Sequence, residues 1–227
     1  MDKLKNLNKL NDFKIYSVED KEFLEFGRVI NFNSKSRLIE KLSAFPIGDS
    51  GCVYEAGRDE FEDDDIKKEL SPYFGCMDLQ IGYCSGANSE LGAMEWHDCN
   101  EVNVAIKDCI LFLGSINDFD EQNRFDTAKA KAFYFKEGQA IVVNARTLHY
   151  APSKVSDEGF SIIVALEKGT NLDLDANDKF AISNSNDEIV HFLTNKNKYL
   201  ITHKDLEALV QDGVSANVIG KNLVVKY

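Results

Sequence analysis

The chain has 227 residues, of which 44% are hydrophobic, and carries a formal net charge of -12. That length can bury a core without disulfide or metal support. The acidity argues against a nucleic-acid or anionic-membrane partner, since both select a positive surface. No stretch approaches the ~20 apolar residues of a membrane span. The opening MDKLKNLNKLND has charges but no apolar core, so no secretory signal is expected and a cytoplasmic location is.

Residues 1–50 read as a mixed N-terminal extension. LKNLNKL is weakly amphipathic, FGRVINF is strand-like, and SKSRLIEKLSAF is a helix capped by Ser34. VYEAG follows as a strand. EFEDDDIKKELSPYFG reads as a helix whose acids precede its lysines, as the helix dipole prefers, with the acidic run on a solvated face.

Between Met77 and Leu166 the pattern changes to strand after strand: MDLQIGYC, LGAMEWH, EVNVAI, CILFLG, KAFYFK, QAIVVN, LHYAP and FSIIVALE. Turn signals such as CSGANS, KEG and SDEG separate them. Short strands at near-regular spacing, with no alternating helices, predict a mainly β fold: an antiparallel barrel or jelly roll over residues 51–169. FDEQNRFDTAK is expected to form an extra loop. Residues 170–227 form a C-terminal extension packed on the barrel. Within it, DEIVHFLTNKNKYLI is ambiguous, HKDLEALVQDG is a helix stopped by Gly213, and NLVVKY is a final strand.

Four histidines are present, and two fall in the β region. Glu95 and His97 are two apart, so a strand points both to one face. A short turn, DCN, can fold Glu101 back beside His97. His149 follows a strand and a polar turn and can reach these three if the sheet closes. Imidazole and carboxylate together suit a divalent Zn, Mn, Fe, Ni or Co ion at an open site. Taken singly, each residue also has an ordinary reading as a core histidine or a solvent-facing glutamate. His191 and His203 have no such company and read as surface or helix-cap residues. The five cysteines, Cys52, Cys76, Cys84, Cys99 and Cys109, show no CxxC spacing. They are expected to be free thiols, with Cys99 in a turn and Cys84, at a strand end, packed in the core or facing the barrel cavity.

The spacing resembles the cupin superfamily, whose first motif is G-x5-H-x-H-x3-4-E-x6-G. Here Glu95 stands for the first histidine, His97 and Glu101 hold their places, and Asp108 replaces the final glycine. The second motif, G-x5-P-x-G-x2-H-x3-N, is matched in spacing by Gly138, Asn144, Arg146 and His149, with Ser153 at the last position. QIGYC, E-W-H-x3-E-V-N-V-A, FDTAKAKAFYF, TLHYAP, KNKYLITH and GKNL resemble one family of cytosolic bacterial cupin-like proteins, the domain of unknown function numbered 4867. The resemblance implies a cupin barrel and a metal set of Glu95, His97, Glu101 and His149, but no substrate. More distant similarity runs to metal-dependent cupin enzymes such as 5-keto-4-deoxyuronate isomerase and ureidoglycolate lyase.

From these readings we expect a metal-dependent cupin enzyme acting on a small polar metabolite, a sugar or sugar acid, by isomerisation or lyase chemistry. Glu95 would be a ligand or the catalytic base. The alternative is a non-catalytic cupin that binds or senses a small molecule. A homodimer is expected, because exposed sheet edges invite association.

Overall fold

The structure is a computed structural model that describes residues 3–227. Its strands are, in chain order, β1 (Ile15–Ser17), β2 (Gly27–Ile30), β3 (Cys52–Glu55), β4 (Leu79–Gly86), β5 (Ala93–Trp96), β6 (Glu101–Ala105), β7 (Cys109–Ser115), β8 (Phe125–Asp126), β9 (Lys131–Phe135), β10 (Ala140–Val143), β11 (Thr147–Leu148), β12 (Ser153–Lys154), β13 (Phe160–Glu167), β14 (Leu193–Asn195), β15 (Lys198–His203) and β16 (Ser215–Ile219). The helices are α1 (Lys3–Leu10), α2 (Lys35–Ser43), α3 (Asp64–Leu70), α4 (Ala176–Ser183) and α5 (Glu207–Gln211).

Two sheets face each other. One runs β2-β10-β6-β13-β4-β3 and is antiparallel throughout. The other is built on β9 and β7, with β1 added in parallel and β11 and β12 closing on β7. This is the mainly β jelly-roll arrangement that the sequence predicts. A third sheet, β14-β15-β16-β8, takes in β5 through the pair β5·β15.

The central strands are buried on both faces, which explains their nearly continuous apolar runs. Leu111, Leu113, Phe133, Phe135, Ile162 and Val164 fill the space between the facing sheets. Ile110, Phe112, Ala132 and Tyr134, their neighbours in sequence, point outward and pack beneath the third sheet. On the opposite side, Leu38 and Leu42 of α2 and Ile66 and Leu70 of α3 cover Val102, Val104, Ile163 and Ala165. β6 therefore turns its valines out toward these helices and its Glu101 and Asn103 into the barrel.

Several local expectations change. Ser34 precedes α2, but its hydroxyl accepts from the Arg37 guanidinium instead of capping the helix. The acidic helix is only α3 and a following 3₁₀ turn, because Pro72 shapes the turn that succeeds it. The Asp63 carboxylate caps α3 by accepting from the amides of Asp65 and Ile66. NLVVKY is not a strand: Val224 makes an isolated bridge with Glu90 and nothing more regular. HYAP is likewise irregular, because the chain leaves β11 at His149. No helix among the described residues is long and apolar enough to cross a membrane.

Candidate metal centre

The two motif segments meet at a backbone bridge. The Glu95 amide donates to the His149 carbonyl at 2.6 Å, and the His149 amide donates to the Glu95 carbonyl at 2.9 Å. This pair sits where β5 ends and where the chain leaves β11. The turn 98–100 then returns the chain to β6, whose first residue is Glu101. The Asn100 side chain fastens the turn by donating to the Tyr73 carbonyl and accepting from the Ala145 amide.

Glu95, His97, Glu101 and His149 all line one cavity. His149 Nε2 lies 3.2 Å from Glu101 Oε2 and 3.9 Å from Glu95 Oε1. His97 Nε2 lies 3.5 Å from the same Glu101 oxygen. One ligand atom each from Glu95, His97 and His149 falls within a 4.8 Å group. The four residues singled out from sequence are therefore brought together.

Both rings are oriented from behind. His97 Nδ1 donates to the Asn197 carbonyl at 2.7 Å, and His149 Nδ1 donates to the Thr147 carbonyl at 2.9 Å. A carbonyl can only accept, so each Nδ1 carries the hydrogen. With Nδ1 so committed, each imidazole, once neutral, presents its Nε2 lone pair to the cavity, the arrangement that metal-binding histidines adopt.

The electrostatics follow from this geometry. Burial pushes His97 below its ordinary pKa, against the pull of Glu95 and Glu101. Burial would also lower His149, but Glu101 and Glu95 outweigh it and raise it to about 9. Burial would raise Glu101, yet His149, His97 and the Asn103 amide hold it at about 2. Two imidazole lone pairs and a carboxylate oxygen cannot face one another without a positive centre between them. In the protein alone, a proton on His149 supplies it; a divalent ion would serve all three groups at once. The donor set fits such an ion.

Sequence reasoning did not find Lys198. Its Nζ lies 2.5 Å from Glu95 Oε2, and its side chain is only 20% exposed. Glu95 pairs with Leu200 across β5·β15, so Lys198, two residues earlier, lies diagonal to Glu95 on the same face. Burial would raise Glu95, but Lys198, His149 and His97 hold it below its usual range. Burial would lower Lys198, and Glu95 outweighs that. Asn103 was also missed; its amide donates to Glu101 Oε1 at 2.7 Å and fixes that carboxylate. Tyr54, Tyr150 and Asn171 complete the polar wall of the cavity. The signal for Lys198 was the KNKYLITH segment, which carried resemblance but no recognisable chemistry.

Cys84 packs in the core between the sheets and also faces this cavity, together with Cys52. One other expectation needs correction. His203 is not at the surface: it is 2% exposed, donates from Nε2 to the Gly220 carbonyl and accepts the Asp205 amide on Nδ1. All five cysteines are free thiols, as expected.

A family model described as domain of unknown function (DUF4867) matches residues 15–223. No curated protein matches the chain significantly. Among solved structures, the oxalate decarboxylase of Bacillus subtilis at pH 4.6 is 16% identical with a TM-score of 0.36, over 82% of this chain and 40% of that one. Another structure of the same enzyme, described for its Mn(II) centres, is 15% identical with a TM-score of 0.36, over 82% of this chain and 41% of that one. The chain thus spans about two fifths of the length of these enzymes, and so loose a superposition carries no functional weight.

Proposed function

The chain belongs to the DUF4867 family, and we propose that it is a metal-dependent cupin enzyme acting on a small polar metabolite. A sugar, sugar acid or related hydroxy-carbonyl compound is the substrate in this reading, and isomerisation or lyase cleavage the reaction. One observation carries it: two inward Nε2 atoms, each oriented by a backbone carbonyl, converge on one buried carboxylate oxygen. His97, His149, Glu101 and Glu95 would hold a divalent Zn, Mn, Fe, Ni or Co ion. When bound, the ion supplies Lewis acidity toward a carbonyl and its neighbouring hydroxyl.

The protein's own groups do the rest. Glu95 meets Lys198 through Oε2 and turns Oε1 toward His149. Lys198 keeps Glu95 ionised at neutral pH, so that carboxylate can accept a proton from a ligand carbon in the cavity. Asn103 and the two imidazoles hold Glu101 in place. Ile162, Val164 and Leu166 of β13 form an apolar wall that excludes water from the reacting centre. The same grip of Lys198 on Glu95 also damps its basicity. That favours, as second reading, a non-catalytic protein that binds or senses a small molecule.

We further place the protein in the cytoplasm as a homodimer. Val29 on β2 and Val53 on β3, the two edge strands of the larger sheet, are 43% and 50% exposed, which supports association along an edge.

Elemental analysis of untagged protein tests the central reading. Stoichiometric divalent metal is expected, falling by an order of magnitude or more in His97→Ala and in His149→Ala while circular dichroism stays native. Unchanged metal content in both variants would overturn the metal reading. With metal present, turnover on the true substrate marks an enzyme, and tight binding without turnover marks a sensor.

A further inference from the structure

We propose that the cavity is built for a small monocarboxylate with an oxygen on the adjacent carbon, a 2-hydroxy or 2-oxo acid, and that Lys198 receives its carboxylate. This rests on the metal reading above and narrows its substrate class at that same site, from sugars and sugar acids to short hydroxy-carbonyl acids.

Charge balance points to an anion. Glu95 and Glu101 are the carboxylates lining the cavity. With neutral imidazoles as ligands, they match a divalent ion and leave the Lys198 ammonium as the one unmatched charge. An unmatched charge in a water-poor cavity is costly, so the complementary ligand brings one negative charge. A neutral sugar brings none, and a dicarboxylate brings one too many.

Spare hydrogen-bonding capacity points the same way. An ammonium has three N–H donors; among the described residues, Lys198 spends itself on Glu95 alone. Tyr54 accepts from the Asn171 amide at 3.1 Å, and among the described residues its own hydroxyl hydrogen meets no acceptor. The Tyr150 hydroxyl meets no partner among them either. Asn171 Oδ1 is buried and unpaired. These groups offer donors for carboxylate and carbonyl oxygens, and one acceptor for a hydroxyl.

The remaining wall limits the ligand's size and polarity. Ile162, Val164, Leu166, Ala151 and Pro152 line it, so a polyhydroxylated chain would set hydroxyls against aliphatic groups. The cavity volume is about 90 Å³, below the ~300–1,000 Å³ usual for ligand pockets, so the ligand is small. A short acid with an aliphatic tail meets all three conditions.

The test is isothermal titration of the full chain, loaded with metal, against pyruvate, 2-oxobutyrate and lactate. Lactamide serves as the neutral counterpart of lactate, and glucose as the neutral sugar. Metal content is measured on every sample. At least one acid is expected to bind, with lactate ~10-fold or more tighter than lactamide, the scale of a charge-assisted hydrogen bond. Lys198→Met should retain its metal and lose that preference. Tyr150→Phe should retain its metal and bind the acids several-fold more weakly. If Lys198→Met fails to fold, the acid–amide comparison on the wild type and the Tyr150→Phe result decide. Metal-loaded protein that binds none of the acids, binds lactamide as well as lactate, or keeps its acid preference in Lys198→Met overturns the inference and leaves the metal reading standing. Failure of the metal reading shows separately, as unchanged metal content in the two histidine variants, and the inference falls with it.

Discussion

Glu95 and His149 are far apart in sequence yet exchange both backbone hydrogen bonds, at 2.6 and 2.9 Å. The two motif loops are therefore joined by main chain at the site itself, and their side chains lie next to each other whether or not anything is bound. Glu95→Gln should leave this bridge intact while removing the anion that Lys198 faces. Its melting temperature is expected to fall, because a buried ammonium loses its partner. Metal content then separates the roles of Glu95. If it falls with the substitution, Glu95 is a ligand. If it holds while turnover on the substrate drops by ~10²–10⁴, Glu95 is the base.

Metal binding near neutral pH should release about one proton. His149 is raised to about 9 by Glu101 and Glu95, and its burial does not reverse this; His97 is lowered by burial and already neutral. A metal ligand must be neutral imidazole, so His149 gives up its proton on binding. Titration calorimetry at pH 7 in buffers of different ionisation enthalpy should report this proton, and it should vanish above about pH 9. The metal-free protein carries the linked stability effect. A raised histidine pKa stabilises the fold fully below its unfolded value and loses that effect as pH rises through about 9. Its melting temperature should decline between pH 7 and 10, and the metal-loaded protein should resist that decline.

The strands of the jelly roll were legible because their apolar runs are buried on both faces, a pattern that survives any register. The face of β6 was legible only through Glu101: alternation alone in E-V-N-V-A would put the valines inside and Glu and Asn in solvent, yet α2 and α3 cover the valines and the polar residues point into the barrel. The spacing of Glu95, His97 and Glu101 carried the site because period-2 geometry and a short turn are local. Lys198 was invisible because its proximity to Glu95 depends on how β15 pairs with β5, which no local pattern records. NLVVKY misled for the opposite reason: its β propensity is high, but it lies against the irregular segment 89–91, which gives it the Val224–Glu90 bridge and no extended ladder.

The core between the sheets should unfold as one unit with the N-terminal segment. Phe133 is fully buried and stacks edge-on or tilted against Tyr16, Phe23 and Phe26, with ring centroids 5.3–5.8 Å apart. Phe133→Ala is expected to cost about 3–5 kcal/mol. Urea unfolding followed by both tryptophan fluorescence and circular dichroism should give one coincident transition in each protein. Separate transitions would mean that the segment carrying Phe23 and Phe26 folds independently.

Arg146 offers a test of backbone strain next to the site. It stands where the second cupin motif has glycine, and it adopts the left-handed conformation, φ 65°, that glycine favours. That conformation costs a non-glycine residue about 1–2 kcal/mol. It persists because the turn is tied on both sides: the Arg146 amide donates to the His97 carbonyl at 2.8 Å, and its Nε donates to Asp98 at 2.8 Å. The first bond holds the turn before His149 against the end of β5, while the second is an exposed ion pair of little worth. Arg146→Gly should therefore remove the strain, lose little, and melt at or slightly above the wild-type temperature with unchanged metal content. Arg146→Val keeps the amide but puts a β-branched side chain where φ must be positive. It should melt several degrees lower and bind metal more weakly, because the turn then shifts and takes His149 with it. Equal melting temperatures for the Gly and Val variants would show that the turn relaxes freely and does not position the histidine.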